Sequence, residues 1–438
     1  MKVSSYNNFV HVNGNMHLLY NSFSGAYLLI KEEIANCLKN NNLEELENNH
    51  LNSWKELIDN GIIIEDQIDE FLLVNNIRFQ QRYSPLYYHL TINPTMNCNL
   101  NCWYCYEDHN RSSNMRENMA DKVMQHLIGH YRLTQFKYLS LGFFGGEPLL
   151  KKKILINILD RIRMFCNDNG IILNLNLTTN GTLIDEEFIG HLEGINVTCQ
   201  ITLDGNKNKH DTVRISRTTN KGSYDKIINN MRLLTQKLVD YNLIVRVNFD
   251  NQTLLGLTDI LDDINTFPRD KVSIGLHRIW QVDDKTIDYK RLYDFIYKAN
   301  ERGFIVVFNP LGSVITHCCY ADNYNQAVIN FDGNIYKCTA RAFTPANKEG
   351  WLDENGNILW DTNKLQKRMS THAPDICEKC KLYPTCFGIC SQNLMENGNS
   401  NKCRISNDIG IDNLILINFN QYLLRNKIFE NKDEKSII

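Results

Sequence analysis

Residues 95–107 read TMNCNLNCWYCYE, and this stretch decides how the rest of the chain is interpreted. It sets three thiols, Cys98, Cys102 and Cys105, on a loop that follows an apolar strand pattern at residues 88–92. A structural zinc ion takes four protein ligands, so three cysteines leave such a site one ligand short. A [4Fe–4S] cluster held by three cysteines leaves one iron open to a non-protein ligand, as a catalytic cluster requires. The stretch therefore predicts an iron–sulfur site, and a zinc site with a borrowed fourth ligand is the alternative.

From about residue 85 to residue 310 the sequence alternates apolar strand patterns with amphipathic helix patterns. On one helix, Ile227, Met231, Leu234 and Leu238 share a face, as a helix packed on a sheet requires. The strand patterns are at residues 88–92, 138–144, 173–177, 197–203, 243–247 and 272–276. Six strand–helix units of this kind predict a parallel α/β sheet or a partial barrel. In either architecture ligands gather at the carboxyl ends of the strands, where the cysteine loop also lies.

Polar and glycine-rich sequences follow the next three strand patterns. They are GGEP at residues 145–148, TTNG at 178–181 and TLDG at 202–205, the last followed by Arg214. Paired glycines let a backbone approach a ligand closely, and the carboxylate of Glu147 suits an ammonium group. Each stretch alone is also compatible with a tight turn, and Arg214 with a solvated surface charge. On successive strand ends at one edge of a sheet, together they predict a ligand site.

The cysteine loop and the first glycine-rich strand end together resemble the radical S-adenosylmethionine (radical SAM) superfamily. Cys98-x3-Cys102-x2-Cys105 matches its cluster motif, and residues 145–148 match its SAM amino-group motif. The resemblance implies a partial (β/α)6 barrel whose [4Fe–4S] cluster binds SAM and cleaves it reductively to methionine and a 5′-deoxyadenosyl radical. It also implies a set of SAM contacts: backbone groups of Tyr104 and Gly146, with Gly145 and Glu147 in the same motif, the hydroxyl of Thr202, and Arg214 at the carboxylate or ribose.

A second set of cysteines lies toward the C-terminus, where most of the 14 cysteines occur. The spacing is Cys319-x13-Gly333-x4-Cys338, Cys377-x2-Cys380-x5-Cys386-x3-Cys390 and Cys403. A zinc ribbon would explain only four of these seven thiols, and two structural zinc ions are the alternative. The spacing resembles the SPASM domain of radical SAM enzymes, which implies two auxiliary [4Fe–4S] clusters and so three clusters in all. The implied ligands are Cys377, Cys380, Cys386 and Cys403 for one cluster, and Cys319, Cys338 and Cys390 for the other, where Cys318 either supplies the fourth ligand or replaces Cys319.

Residues 1–82 carry a pattern of their own. Short β-like segments separated by turn formers precede three helix patterns, of which the second runs from Leu43 to Ile58. This order predicts a winged-helix-like domain, which binds DNA or a peptide, or only packs. Residues 1–82 lack the basic stripe that DNA requires.

We expect four segments along the chain. Maturases of ribosomally made peptides often carry a winged-helix module that captures a leader peptide as an added strand, and residues 1–82 resemble one. Residues 350–360 also resemble a segment of peptide maturases. The expected segments are a leader-recognition domain at 1–82, a barrel at 83–310, a SPASM domain at 311–425 and a tail at 426–438.

Composition limits the possible function classes. Lysine and arginine number 47 against 50 aspartates and glutamates, a formal charge of −3, which argues against broad phosphate neutralisation of nucleic acid. Hydrophobic residues at 43% and charged residues at 22% are ordinary globular values. No apolar run reaches the roughly 18 residues of a membrane span, and no signal-peptide core is present at the N-terminus. We expect a cytoplasmic enzyme without nucleic-acid or membrane partners, in which Cys37, Cys166 and Cys199 are core residues.

Two enzyme functions compete on this basis. Anaerobic sulfatase-maturating enzymes form formylglycine, and their aspartate base directly follows the cysteine equivalent to Cys338. Here that residue is Thr339, which cannot accept a proton at neutral pH. We therefore favour a maturase that installs thioether or carbon–carbon crosslinks in a ribosomally synthesised peptide, although the sequence assigns no catalytic residue.

The favoured function implies two kinds of partner. One is a precursor peptide with a leader segment, and the other is an electron donor such as flavodoxin or ferredoxin. A zinc-stabilised DNA-binding regulator is the non-enzymatic alternative. The acidic balance and the open cluster site both argue against that regulator.

Overall fold

The computed structural model describes residues 1–282, 287–308, 319–386, 388–398, 403, 405 and 410–433, with side chains as far as residue 427. Internal contacts divide the chain into two compact units. The first unit combines Met1–Ser84, Asn309–Tyr324 and Lys367–Leu423, and the second combines Pro85–Phe308, Asn325–Gln366 and Leu424–Ile438. The N-terminal segment and the last cysteine-rich segment therefore share one unit, although they lie near opposite ends of the chain.

The described residues form the following strands and α-helices. The strands are β1 (Lys2–Val3), β2 (Asn7–His11), β3 (Met16–Asn21), β4 (Tyr27–Lys31), β5 (Ile63–Ile64), β6 (Tyr87–Asn93), β7 (Tyr138–Phe143), β8 (Ile172–Thr179), β9 (Asn196–Thr202), β10 (Tyr241–Phe249), β11 (Val272–Arg278), β12 (Ile305–Val307), β13 (Gln326–Asn330), β14 (Asn334–Tyr336), β15 (Gly350–Leu352) and β16 (Ile358–Trp360). The helices are α1 (Glu32–Lys39), α2 (Leu43–Asn49), α3 (Leu51–Asp59), α4 (Glu70–Tyr83), α5 (Glu117–Thr134), α6 (Lys152–Asp168), α7 (Glu186–Leu192), α8 (Lys207–Val213), α9 (Tyr224–Lys237), α10 (Ile260–Asp263), α11 (Tyr289–Glu301), α12 (Thr362–Met369), α13 (Tyr383–Cys386), α14 (Ser391–Asn397) and α15 (Ile411–Asp433).

The first unit is built on small antiparallel sheets. Strands β2, β3 and β4 form one sheet, and β1 pairs with β5. Helix α1 packs on β3 and β4 because its buried residues, Ile34, Ala35, Cys37 and Leu38, recur on one face. Asp69 precedes helix α4, and its carboxylate accepts a hydrogen bond from the backbone N–H of Leu72 and so caps the helix.

The second unit contains one long sheet that begins with parallel strands. Its order is β12-β11-β10-β9-β8-β7-β6-β13-β14-β15-β16. The strands from β12 to β6 are parallel to their neighbours, β13 adds to β6 in parallel, and the remaining strands are antiparallel. The fold is therefore mixed α/β with the large parallel sheet of a partial barrel, as the strand patterns predict.

The central strands have one apolar face and one polar face. On β7, Leu139, Leu141 and Phe143 are at most 1% exposed, whereas Ser140 between them is partly exposed. The amide of Asn176 on β8 donates a hydrogen bond of 2.9 Å to the hydroxyl of Ser140. Helix α6 packs against β8 and buries its own apolar residues. The polar face is left for solvent or for a ligand that hydrogen-bonds.

The structure differs from the sequence predictions at several elements. The helix predicted from Leu43 to Ile58 is interrupted at His50, whose φ of −135° and ψ of 49° are not helical. Asparagine is a weak helix former, and two asparagines precede this break. Strands β12 and β13 extend the parallel sheet beyond the six predicted strands.

The C-terminal part also departs from the expected boundaries. Residues 325–366 group with the barrel strands because β13 pairs with β6 from Gln326↔His89 to Asn330↔Asn93. Helix α15 continues to Asp433, past the predicted tail boundary at 426, since no glycine or proline interrupts that stretch. Cys318 lies outside the described residues. No helix in the described part of the chain combines the length and the apolar character that a membrane crossing requires.

Candidate active site at the carboxyl end of the parallel sheet

The first cysteine set lies on the loop after β6. Cys98 is buried, Cys102 and Cys105 are partly exposed, and the backbone N–H of Cys105 donates to the carbonyl of Cys102 at 3.1 Å. Burial raises the pKa of the Cys98 thiol to about 12 and also raises the pKa values of Cys102 and Cys105. Thiols in such surroundings stay protonated until a metal favours the thiolate. As a donor set, three thiols on one loop fit a [4Fe–4S] cluster with one open iron.

The paired glycines after β7 allow the cysteine loop to pack closely against the end of that strand. A Cβ atom on Gly145 would lie 2.3 Å from the carbonyl oxygen of Thr95, and one on Gly146 would lie 2.3 Å from that of Asn97. Gly145 also has a φ of 118°, which side chains rarely allow. The backbone that approaches these glycines is therefore the cysteine loop itself, where the sequence analysis expected a ligand.

Glu147 joins the loop to two strand ends. Its carboxylate is fully buried and accepts hydrogen bonds from the Thr179 hydroxyl at 2.7 Å, the Asn180 N–H at 2.7 Å and the Leu149 N–H at 3.0 Å. Its own N–H donates to the carbonyl of Asn97 at 2.8 Å. Burial raises the pKa of Glu147, and these donors oppose that rise. The carboxylate is thus engaged by three donors within the protein, and its expected contact with an ammonium group stays a prediction.

Asn180, at the end of β8, continues this network to the cysteine loop. Its amide donates to the side-chain carbonyl of Asn99 at 2.8 Å and lies 3.8 Å from the sulfur of Cys98. Its side-chain oxygen accepts from the N–H and hydroxyl of Thr182. The TTNG stretch is thus a support for the cysteine loop.

A buried ion pair forms the other half of the site. The Nε of Arg214 lies 2.6 Å from Oδ2 of Asp204, and both side chains are buried. Arg214 also donates to the Tyr104 hydroxyl at 2.7 Å, and that hydroxyl donates to Asp204. The N–H of Asn248 donates to Oδ1 of Asp204 at 3.2 Å, and its amide reaches the Tyr104 hydroxyl at 3.0 Å. Because this guanidinium is paired, it fixes the Tyr104 side chain beside Cys102 and Cys105.

The remaining predicted contact residues lie around this pair. Thr202 ends β9 and is buried, two residues before Asp204. The carbonyl of Tyr104 accepts a hydrogen bond of 2.6 Å from the side chain of Gln281. Tyr104, Thr202 and Arg214 therefore lie toward the carboxyl edge of the sheet, and their contacts with SAM stay a prediction.

Sequence reasoning missed two residues of this region, Asn248 and Gln281, and gave a third, Glu107, no role because no spacing argument supports one. Asn248 and Gln281 belong to the network through contacts that no local motif signals, although Asn248 lies on the same polar strand face as Arg246. Glu107 is buried, and within the described part of the chain neither of its carboxylate oxygens has a hydrogen-bond partner. Burial raises the pKa of Glu107 to about 9. An unpartnered buried carboxyl group is costly, which makes Glu107 a candidate contact for a bound molecule.

The second cysteine set is divided between the two units. In the first unit, the thiol of Cys377 interacts electrostatically with those of Cys380, Cys386 and Cys403, so these four lie near one another. Cys319 and Cys390 belong to the same unit, whereas Cys338 follows β14 in the second unit. Among the described residues, no three His, Cys, Asp or Glu side chains are grouped as they would be around a single metal ion.

One family model and several known proteins are similar to this chain. Residues 92–264 match the Radical SAM superfamily, which implies a [4Fe–4S] cluster and SAM as cofactors. A cysteine-type anaerobic sulfatase-maturating enzyme of Clostridium novyi (strain NT) is 28% identical over 335 residues, covering 69% of this chain and 87% of the relative.

Solved structures share the fold of this chain at lower identity. Native anSMEcpe with bound AdoMet and Cp18Cys peptide has a TM-score of 0.54 and 19% identity, covering 78% of this chain and 99% of its own. Streptococcus suis SuiB bound to the precursor peptide SuiA has a TM-score of 0.53 and 17% identity, covering 92% of this chain and 100% of its own.

We predict that Asp204→Asn destabilises the second unit strongly. The substitution leaves the buried Arg214 without its counter-charge, and breaking a buried pair costs about 3–5 kcal/mol. Denaturant unfolding of the purified holoenzyme measures the loss. Asp121→Asn is the control, because its partner Arg161 is 38% exposed and such surface pairs contribute about 0–1 kcal/mol. Equal losses in the two variants would contradict the prediction.

We predict that Gly146→Ala lowers the iron content by about four atoms per chain, the content of one [4Fe–4S] cluster. The added Cβ would lie 2.3 Å from the Asn97 carbonyl oxygen, so the cysteine loop must move. Iron analysis after anaerobic reconstitution measures the effect. Gly129→Ala is the matched control, since nothing lies within 4 Å of that position on α5. A Gly146→Ala variant with full iron content would refute the role of this close contact.

Proposed function

We propose that this chain, which is a radical SAM enzyme, modifies a ribosomally synthesised precursor peptide by forming a thioether or carbon–carbon crosslink. The cluster and SAM, when bound, would supply a 5′-deoxyadenosyl radical that abstracts a hydrogen atom from the peptide. The observation that carries this proposal is the first unit, in which residues 1–84 pack with the cysteine-rich segment 367–423. We assign peptide recognition to residues 1–84 of this unit, as an integral part of the enzyme.

The extent of the structural likeness supports this assignment. The likeness to SuiB bound to its precursor peptide covers 92% of this chain, and the likeness to anSMEcpe covers 78%. Residues 1–84 comprise the β2–β3–β4 sheet followed by helices, and an edge strand of such a sheet can accept an extended peptide through main-chain hydrogen bonds. We assign these residues to leader binding.

In this proposal the residues of the second unit have distinct tasks. Cys98, Cys102 and Cys105 hold the catalytic cluster. Gly145 and Gly146 bring the cysteine loop against the end of β7, and Glu147 fixes that loop from within, leaving the backbone of this turn to meet SAM. The remaining proposed contacts with SAM are made by the backbone of Tyr104, the hydroxyl of Thr202 and the guanidinium of Arg214.

The polar strand face suits a peptide substrate. Ser140, Asn176 and Arg246 lie on that face, where Asn176 is exposed and the other two are partly exposed. Backbone amides and carbonyls of a bound peptide need partners once water is excluded, and such side chains supply them. Glu107 adds a buried carboxyl group whose oxygens have no hydrogen-bond partner within the described residues.

Sulfatase maturation by formylglycine formation is the second candidate, because the 28%-identical relative from Clostridium novyi is named a cysteine-type anaerobic sulfatase-maturating enzyme. The residue after Cys338 is Thr339, whose carbonyl accepts a hydrogen bond of 2.7 Å from the Tyr106 hydroxyl. A threonine there removes the base that the resemblance implies. We therefore rank crosslink formation first.

We also propose three [4Fe–4S] clusters and a flavodoxin- or ferredoxin-type electron donor. One auxiliary cluster is assigned to Cys377, Cys380, Cys386 and Cys403, and the other to Cys319, Cys338 and Cys390. Anaerobic reconstitution is then expected to give about 12 iron atoms per chain. The triple variant Cys98→Ala/Cys102→Ala/Cys105→Ala is expected to keep about 8 and to lose SAM cleavage by dithionite. Stoichiometric zinc, or SAM cleavage by the triple variant, would contradict the assignment.

The reaction class can be tested with two peptides. We expect that co-expression with a short peptide encoded beside this gene gives a product two hydrogens lighter per crosslink, located by tandem mass spectrometry. A cysteine-type sulfatase peptide of Cys-x-Pro-x-Arg sequence is expected to remain unchanged. If the sulfatase peptide gains an aldehyde while the peptide encoded beside this gene stays unmodified, the enzyme forms formylglycine and not a crosslink.

A further inference from the structure

Helix α4 and the Cys377 loop share a buried core in the first unit. Tyr6, Val74, Cys377 and Tyr383 are each at most 9% exposed and pack together. Phe71 and Ile77 of α4 and the thiol of Cys380 pack against this group. The cysteine pair is therefore embedded against the N-terminal segment, and its surroundings are of low polarity.

Hydrogen bonds fix the loop to the same segment. The Tyr383 hydroxyl donates to the side-chain oxygen of Asn75 at 2.6 Å. The carbonyl of Lys381, next to Cys380, accepts from the Ser22 hydroxyl at 2.5 Å and from the Asn8 amide at 3.4 Å. These contacts leave the loop little freedom to move away from α4.

Arg78 brings a charge to this core. It lies one helical turn after Val74 and is 8% exposed. Its guanidinium acts electrostatically on Cys377 and donates to the Tyr383 hydroxyl. An arginine stays protonated at any physiological pH, so this positive charge is permanent.

Asp322 carries the opposite charge and lies beside Arg78, with hydrogen bonds to the segments that contain Cys319 and Cys390. Its Oδ2 lies 3.7 Å from the guanidinium of Arg78, and its Oδ1 accepts from the N–H of Ser391 at 3.3 Å and from the Ser391 hydroxyl. Its N–H donates to the carbonyl of Cys319 at 2.8 Å. The pair is thus held between loops that carry Cys319, Cys377 and Cys390.

The electrostatic consequence has a definite sign. Reduction of an iron–sulfur cluster adds one negative charge, and a nearby buried cation stabilises the reduced form. Charges act over longer range in a buried, weakly polar site than at the surface, where water and salt screen them. Removing the cation should therefore lower the reduction potential, and removing the opposing carboxylate should raise it.

We propose that Arg78 is a positioning residue whose buried charge raises the reduction potential of the cluster held by Cys377, Cys380, Cys386 and Cys403, with Asp322 opposing it. This inference rests on the cluster assignment in the proposed function. It gives helix α4 of the N-terminal segment a direct electrostatic effect on an electron-carrying site.

Redox titration monitored by electron paramagnetic resonance tests the proposal. The Cys98→Ala/Cys102→Ala/Cys105→Ala protein removes the catalytic cluster, and the signal absent after a further Cys377→Ala change identifies the cluster in question. In Arg78→Gln we expect the ratio of reduced to oxidised cluster at a fixed potential to fall about tenfold, which is 59 mV for a one-electron couple. Asp322→Asn is expected to shift the ratio in the opposite direction.

Two control variants separate charge from structure. Arg78→Lys keeps the charge and should retain the wild-type potential. Lys379→Gln removes an exposed charge between Cys377 and Cys380, and screening by water should leave the potential unchanged. If Arg78→Gln fails to fold, the Asp322→Asn shift and the Arg78→Lys result decide the matter.

The possible failures are distinguishable. An intact auxiliary signal whose potential stays unchanged in both Arg78→Gln and Asp322→Asn, or shifts in the same direction in both, would overturn the role of Arg78 alone. A complete absence of auxiliary signal in the parent protein would overturn the cluster assignment and this inference with it.

Discussion

The buried carboxylate of Glu147 connects the elements that meet at the carboxyl end of the parallel sheet. It receives donors from the end of β8 and from its own turn, while its backbone N–H holds the cysteine loop. Burying a charge without partners costs several kcal/mol, so the three donors are required for the carboxylate to stay where it is. The contact of Gly145 and Gly146 with the loop carbonyls depends on this anchoring. The three cysteines thus start from a loop that is fixed at its base.

The cysteine and glycine motifs were predictable because their chemistry is local. Three thiols within one loop and two adjacent glycines after a strand are visible in the sequence. The alternation of strand and helix patterns likewise predicted the strands of the parallel sheet. The hydrogen-bond partners of Glu147 were not predictable, since two of its three donors, the Thr179 hydroxyl and the Asn180 N–H, lie at the end of β8, more than thirty residues away. Asn248 and Gln281 were missed for the same reason, because each reaches Tyr104 through a tertiary contact.

The boundary of the C-terminal segment is a second feature that the sequence did not predict. Cysteine spacing treats residues 311–425 as one domain, but β13 pairs in parallel with β6 and takes residues 325–366 into the barrel unit. All residues of β13, from Gln326 to Asn330, are buried. The mixed polarity of this short strand does not predict that burial. Strand pairing between distant segments, and not composition, decides where this region belongs.

The shared core of the first unit also affects how the chain folds as it is synthesised. Among the residues that the structure describes, the core around Leu19, Ile34, Leu46 and Leu57 draws its members from the N-terminal segment, so it can form once that segment leaves the ribosome. The core around Tyr6 and Val74 is completed by Cys377 and Tyr383. At roughly 5–20 residues per second, those residues follow tens of seconds later. During that interval an aromatic surface that includes Phe23 and Phe71 lacks its partners, which makes the nascent N-terminal segment a candidate for chaperone binding.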